Sequence, residues 1–225
     1  MSRGALQLAL DLPHAASFRR DDFLPSPSNE AALAMIEAWP RWPHRVAAIV
    51  GPAGSGKSHL AAIWAERAGA RIESAHALGR ADVPRLATGA LALEDVEPGG
   101  VDEAALFHLL NLAGEEDCHV LLTAAQRLDG GFALADLASR LRAVPVIALA
   151  APDDALLAAV LVKLFADRQL AVGEGVVSYL VPRMERSLAA ARALVARLDR
   201  AALSRGRAVT RQLAAELVDS PDASI

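Results

Sequence analysis

The sequence predicts an α/β protein: a parallel sheet covered on both faces, followed by an all-helical appendage. Three observations carry that expectation. Four short, nearly all-apolar runs (residues 45–51, 89–97, 119–125 and 143–150) are separated by helical patterns. Strands that are apolar throughout belong in a parallel sheet with helices on both sides. The first run stops on Gly51 and passes through "GPAGSGKS" straight into a helical pattern, the strand–loop–helix order of a phosphate-binding unit. Beyond residue 151 the strand signals cease and only helical periodicity remains.

Taken in order, residues 7–13 ("QLALDLP") form a mostly apolar run ahead of anything that reads as folded, and 17–29 read as a linker or an ordered loop. Residues 45–51 are a buried strand. The helix over 57–69 has Leu60, Ile63, Trp64 and Arg67 at helical spacing and closes on Gly69, a good C-terminal glycine. Residues 70–75 are a weak strand. The strand over 89–97 runs into acid, and the helix over 102–114 has an acidic first turn and a glycine stop. Strands at 119–125 and 143–150 flank a helix at 134–142. Helical patterns then cover 152–170, 174–184, 187–205 and 210–220. The expected division is a flexible peptide at 1–16, an α/β nucleotide-binding domain at 17–150 and a helical lid at 151–225.

Composition narrows the class. The chain of 225 residues is 53% hydrophobic but only 4% aromatic, so the core should be aliphatic and alanine-rich. Cys118 is the single cysteine and cannot form an internal disulfide, which suits a reducing cytoplasm. No apolar run approaches membrane-spanning length, so the expectation is a cytoplasmic protein with no membrane partner. A net charge of −4 argues against wholesale wrapping of nucleic acid. The charge is unevenly spread: residues 86–126 hold no Lys or Arg, whereas eight arginines lie from Arg183 to Arg211 against Glu185 and Asp199. These are two solvated faces, or surfaces of opposite sign offered to partners. His14, His44, His59, His76, His108 and His119 lack ligand spacing, so no zinc site is expected.

The strongest motif is G-x-x-x-x-G-K-S at 51–58. Its glycines let backbone N–H groups curl around a polyphosphate, and the helix N-terminus adds the positive end of its dipole. Lys57 would neutralise the β- and γ-phosphates, and the Ser58 hydroxyl would ligate Mg²⁺. Lysine is scarce here: of 23 basic residues only Lys57 and Lys163 are lysines. The expected cofactor is ATP or ADP, held by Pro52, Ala53, Gly54, Ser55, Gly56, Lys57, Ser58 and His59. Such a loop needs an acidic site at another strand end to hold magnesium and orient water, and Glu94 and Asp95 supply it. Thr123 ends the following strand with a hydroxyl placed for the γ-phosphate or a water. Arg140 and Arg142 lie on the helix beyond.

At this point the chain resembles the AAA+ ATPases of the DnaA/Hda type. The stretches "FLPSPSN", "GPAGSGKSHL", "FHLLNLAGEEDCHVLLTAA" and "DLASRL" look like the ATPase domain of the bacterial replication initiator, and still more like its smaller regulatory relatives. The resemblance covers residues 7–218. It implies a five-stranded sheet in the order 5-1-4-3-2, a nucleotide held between sheet edge and lid, and a loop around Phe23 to Ser28, with Phe23 and Leu24 as its binding residues, beside the base. It also implies Arg140 as a finger reaching a neighbouring subunit's nucleotide, and hence a possible homo-oligomer. Two departures matter. The first acid of the magnesium site, usually Asp in the family, is Glu94. The family's lid arginine aligns on Ala189, with Arg186 and Arg192 one turn to either side as candidates to substitute for it. Nucleotide binding therefore follows from the resemblance; hydrolysis by the chain's own site does not.

Gln7, Leu8, Leu10 and Leu12 are similar to the peptide by which such regulators dock on the sliding clamp, the β subunit of DNA polymerase III. The alternative is a strand or staple packed on the chain's own surface. The functional expectation is a negative regulator of replication initiation that sits on the clamp and stimulates ATP hydrolysis by DnaA. DNA would be met only indirectly, because no helix-turn-helix segment follows the lid in this sequence. An AAA+ adaptor without finger activity and a stand-alone P-loop enzyme are the alternatives.

Overall fold

The computed structural model describes residues 18–219; the proposed docking peptide with Gln7, Leu8, Leu10 and Leu12 lies outside them. Five strands make one parallel sheet: β1 (Val46–Val50), β2 (Arg71–Ser74), β3 (Ala90–Glu94), β4 (His119–Ala124) and β5 (Val146–Ala148). Their spatial order is β2-β3-β4-β1-β5, the expected 5-1-4-3-2. The register aligns Val50 with Ala124 and with Ala148, and Leu93 with Leu122. The carboxyl ends of β1, β3 and β4 therefore share one edge, where the loop at 51–56, Glu94 and Thr123 meet.

Helices cover both faces. On one side α1 (Glu30–Ala38) and α2 (Lys57–Ala68) enclose a core that includes Ile36, Ile49, Leu60, Trp64 and Leu121. On the other, α3 (Val83–Leu86), α4 (Glu103–Glu115) and α5 (Ala135–Arg142) bury Leu91, Leu93, Leu106, Leu110 and Leu137. The central strands β1, β3 and β4 are buried nearly throughout, while edge strand β2 alternates and edge strand β5 is half-buried. That difference is why the sequence signal for β2 is weak: an edge strand has fewer neighbours to demand apolar residues.

The appendage is α6 (Asp154–Asp167), α7 (Val176–Leu180), α8 (Leu188–Arg205) and α9 (Arg211–Asp219). It closes its own core around Leu157, Leu161, Phe165, Leu180, Val195 and Leu198. Two caps locate its long helices. Asp153 accepts from the Leu156 amide at the start of α6, and Ser187 accepts from the Ala190 amide at the start of α8. Each satisfies one of the amides a helix start leaves over. No helix among the described residues is long and apolar enough to cross a membrane.

Residues 19–29 prove to be an ordered segment. A 3-10 turn at Arg20–Asp22 leads to Phe23, which is buried. Asn29, also buried, ties the following loop: its side chain accepts from the Ser26 amide (2.9 Å) and donates to the Leu24 carbonyl (3.0 Å). The Ala150 amide donates to the Ser28 carbonyl (3.2 Å), fastening this loop to the end of the sheet.

Candidate nucleotide-binding site

The loop at 51–56 owes its shape to close approaches. A Cβ on Gly51 would come within 2.6 Å of the Leu149 carbonyl, so the chain just past β5 runs too near for any other residue. Gly54 and Gly56 have φ of +70° and +108°, which only glycine adopts without strain. Gly56 caps α2, and that helix has no acidic residue in its first turn. Both features suit an anion at the helix start.

Lys57 is 9% exposed and folds back on its own loop, donating to the carbonyls of Gly51 (2.8 Å) and Pro52 (3.0 Å). Burial holds its ammonium below the ordinary lysine value, opposed by Asp95, then Glu94 and Glu97. The cation is thus stationed inside the loop between phosphate-binding backbone and the acid pair. Two buried oxygens beside it lack any partner among the described residues, Ser55 Oγ and Glu94 Oε1. Unpaired buried oxygens are costly. An arriving nucleotide with its metal and waters supplies what such groups lack, so the residues fit the group. Ser58 is exposed on the first turn of α2, where a metal ion could reach it. Among the described residues no three His, Cys, Asp or Glu side chains converge on a metal site. Magnesium on a nucleotide requires fewer, since phosphates and waters complete its shell.

The acid pair is positioned by Thr123. Thr123 is 0% exposed, and its Oγ1 accepts from the Asp95 amide (3.1 Å), while its carbonyl accepts from the Val96 amide (2.8 Å). Asp95 takes φ of +59°, a left-handed turn that Asp tolerates, and emerges exposed beyond half-buried Glu94. The burial of Thr123 in the centre of the sheet makes it the fastening of the β3 turn.

Beside the loop a cleft of about 520 Å³ separates the sheet domain from the lid, a volume in the range of cofactor sites. Phe23, Leu24 and His59 face α6 and α8 across it. His59 is gripped: its Nε2 lies 2.9 Å from the Arg19 carbonyl, and Phe18 and Phe23 meet its ring edge-on at 5.3 and 5.2 Å. Since the carbonyl accepts, the neutral ring donates from Nε2. Burial lowers the His59 pKa, favouring that neutral form.

The lid reaches the loop directly. The Leu188 amide donates to the Gly54 carbonyl (2.8 Å), and a Cβ on Gly54 would fall 1.9 Å from Ser187 Oγ. Lys163 on α6 bonds Asp22 (2.8 Å) as well as Asp167 (2.9 Å), joining the N-terminal segment to the lid. Sequence reasoning missed Ser187, Leu188, Lys163 and Asp22; their only signal, a Ser before a helical pattern, says where a helix starts and not what it touches.

Arg140 stands elsewhere. It is exposed on α5, donates from Nη1 to the Leu110 carbonyl (3.0 Å), lies 5.8 Å over the Phe107 ring and does not line the cleft. Glu103 fixes the start of that helix by accepting from the Ala133 and Leu134 amides (3.0 and 2.6 Å). Ala189 lies at the loop, its amide nitrogen 3.4 Å from where a Gly54 Cβ would be, and Arg186 is exposed and paired with Asp154 (2.7 Å).

No protein-family model and no curated protein matches the chain. Solved structures do. Domain III of the Thermotoga maritima replication initiation protein DnaA superposes with a TM-score of 0.76 at 18% identity, covering 92% of this chain and 98% of that one. Thermotoga maritima RuvB gives 0.71 at 16%, covering 90% and 72%. AMPPCP-bound DnaA from Aquifex aeolicus gives 0.64 at 17%, covering 79% and 63%. At these identities the likeness establishes the fold alone, the one these DnaA and RuvB structures share.

Proposed function

We propose that this AAA+ chain is a nucleotide-binding regulator of replication initiation. Gln7, Leu8, Leu10 and Leu12 tether it to the sliding clamp, its cleft carries ADP or ATP, and Arg140 is presented to the ATP of a bound DnaA. The lining of the cleft and the phosphate loop support a nucleotide. The likeness to DnaA structures, one of them bound to AMPPCP, supports the replication setting.

The observation that carries the regulatory reading is the position of Arg140. It is exposed on a helix braced by Glu103 and lies away from the chain's own cleft, so any phosphate it serves belongs to another molecule. When bound, the nucleotide would rest its phosphates on the amides of 53–58 and on Lys57. Ser58 with Glu94 or Asp95 would hold Mg²⁺. In the partner's site Arg140 would offset charge developing on the transferred phosphoryl group, an effect worth roughly 10³–10⁵ in rate where best studied.

The test is ATP turnover by purified DnaA with clamp, with and without this protein. Arg140→Ala should remove stimulation while clamp binding persists. Arg142→Ala is the control, because two positions along a helix point about 200° apart. Loss with Arg142→Ala alone would mean the helix faces its partner in another register. One observation favours a second reading, an adaptor without finger activity: Arg140 is already engaged by the Leu110 carbonyl and the Phe107 ring of its own subunit. Unchanged turnover with either variant would leave that reading standing.

A further inference from the structure

We propose that Arg192 is the lid side chain that grips the nucleotide, holding the part that ADP and ATP share; this rests on the nucleotide reading above. Arg192 lies half-buried on α8, lines the 520 Å³ cleft and stacks 5.5 Å over the Phe18 ring. Among the described residues it has no carboxylate partner. The other cations that line the cleft are committed. Lys163 is held by Asp22 and Asp167, and Arg168 lies 3.7 Å from Asp199. Arg186 pairs with Asp154 outside the cleft, and His59 favours its neutral form. A guanidinium withdrawn from water without a counter-charge is unfavourable, and the cleft it faces is where an anion would compensate it.

The geometry also says which part of the nucleotide it meets. The Leu188 amide bonds the Gly54 carbonyl, so the first turn of α8 rests on the tip of the phosphate loop. Arg192 is one turn along, about 5 Å further on, beside Phe18, Phe23 and His59 rather than over Gly54. His59 follows Lys57 and Ser58 on the first turn of α2, so Arg192 addresses the sugar and first phosphate. The helix positions at the loop tip, Leu188 and Ala189, bring no charge to a terminal phosphate. The lid should therefore bind ADP and ATP with the same grip.

The test is calorimetric titration of the full chain with Mg-ADP and Mg-ATP, comparing wild type with Arg192→Met, Arg192→Lys and Arg186→Met. Arg192→Met keeps the aliphatic stem and removes the charge. It should weaken both nucleotides by the same factor, about 10–100-fold, the scale of one charge-assisted contact. Arg192→Lys should recover part of the loss, and Arg186→Met should bind as wild type does. Without nucleotide, Arg192→Met should melt no lower than wild type, because an uncompensated cation has been removed. Wild-type affinity in Arg192→Met, a loss confined to ATP, or a lower melting temperature without nucleotide would each overturn the proposal. If wild type itself bound neither nucleotide, the nucleotide reading would fall first.

Discussion

Replacing Gly54 by alanine probes whether the lid is seated on the phosphate loop. The new Cβ would sit 1.9 Å from Ser187 Oγ and 2.9 Å from Ser187 Cβ, so Ser187 must move. It cannot turn away cheaply, since it is buried and caps α8 through the Ala190 amide; losing such a cap costs about 1 kcal/mol. Displacing α8 also breaks the Leu188–Gly54 hydrogen bond, about 1 kcal/mol net, and alanine at φ of +70° adds roughly 1–2 kcal/mol. The expected loss is about 3–4 kcal/mol, on the order of 10 °C in Tm for a chain of this size. Gly69 is the control. Its φ is +62° but a Cβ there meets nothing within 4 Å, so Gly69→Ala should cost only the backbone part. Urea unfolding of Gly54→Ala, Gly69→Ala and the double variant Gly54→Ala/Ser187→Gly measures the difference, and the double variant should recover most of the excess. Equal destabilisation by Gly54→Ala and Gly69→Ala would refute the seated lid.

Lys57→Ala should abolish ADP and ATP binding by calorimetry, because backbone amides alone do not balance the polyphosphate charge; unchanged affinity would remove the phosphate-loop assignment. Glu94→Gln should leave ADP binding intact and weaken its magnesium dependence, and if it does neither, Asp95 is the ligand. His59 should make the fold acid-sensitive. Its folded pKa is depressed below the ordinary 6.5 by burial, reinforced by Arg192 and Lys163 and opposed by its bond to the Arg19 carbonyl and by Asp22. Its contribution is therefore full above pH 6.5 and is lost as pH falls through the folded value. His59→Gln, which keeps a donor for Arg19, should flatten the acid limb of a stability–pH curve; an unchanged limb would show the ring titrates freely. Gln7→Ala with Leu10→Ala should eliminate clamp binding with the thermal profile almost unmoved, whereas a loss of several kcal/mol, the scale of two buried leucines, would mean the peptide packs on its own domain.

What the sequence determined alone is whatever is set by neighbours along the chain. The phosphate loop was legible because three glycines, a lysine and a serine must be contiguous to curl a backbone around phosphates. The central strands β1, β3 and β4 were legible because burial on both faces leaves no polar position. The helix α1 was not: it is nine residues long, bounded by prolines at 27 and 40, and its buried Ile36 belongs to the same core as Trp64 of α2. The sheet order followed only from a family resemblance, and it took the hydrogen-bonded ladders to establish it here. The site's remaining decisions belong to pairs far apart in sequence. Ser187 lies against Gly54, Lys163 bonds Asp22, the Thr123 hydroxyl holds the Asp95 amide, and Arg192 lacks any carboxylate partner among the described residues. Whether a charged side chain is paired, buried or waiting for a ligand depends on which distant residues the fold brings beside it. No periodicity along the chain records that, so only the tertiary structure could decide it.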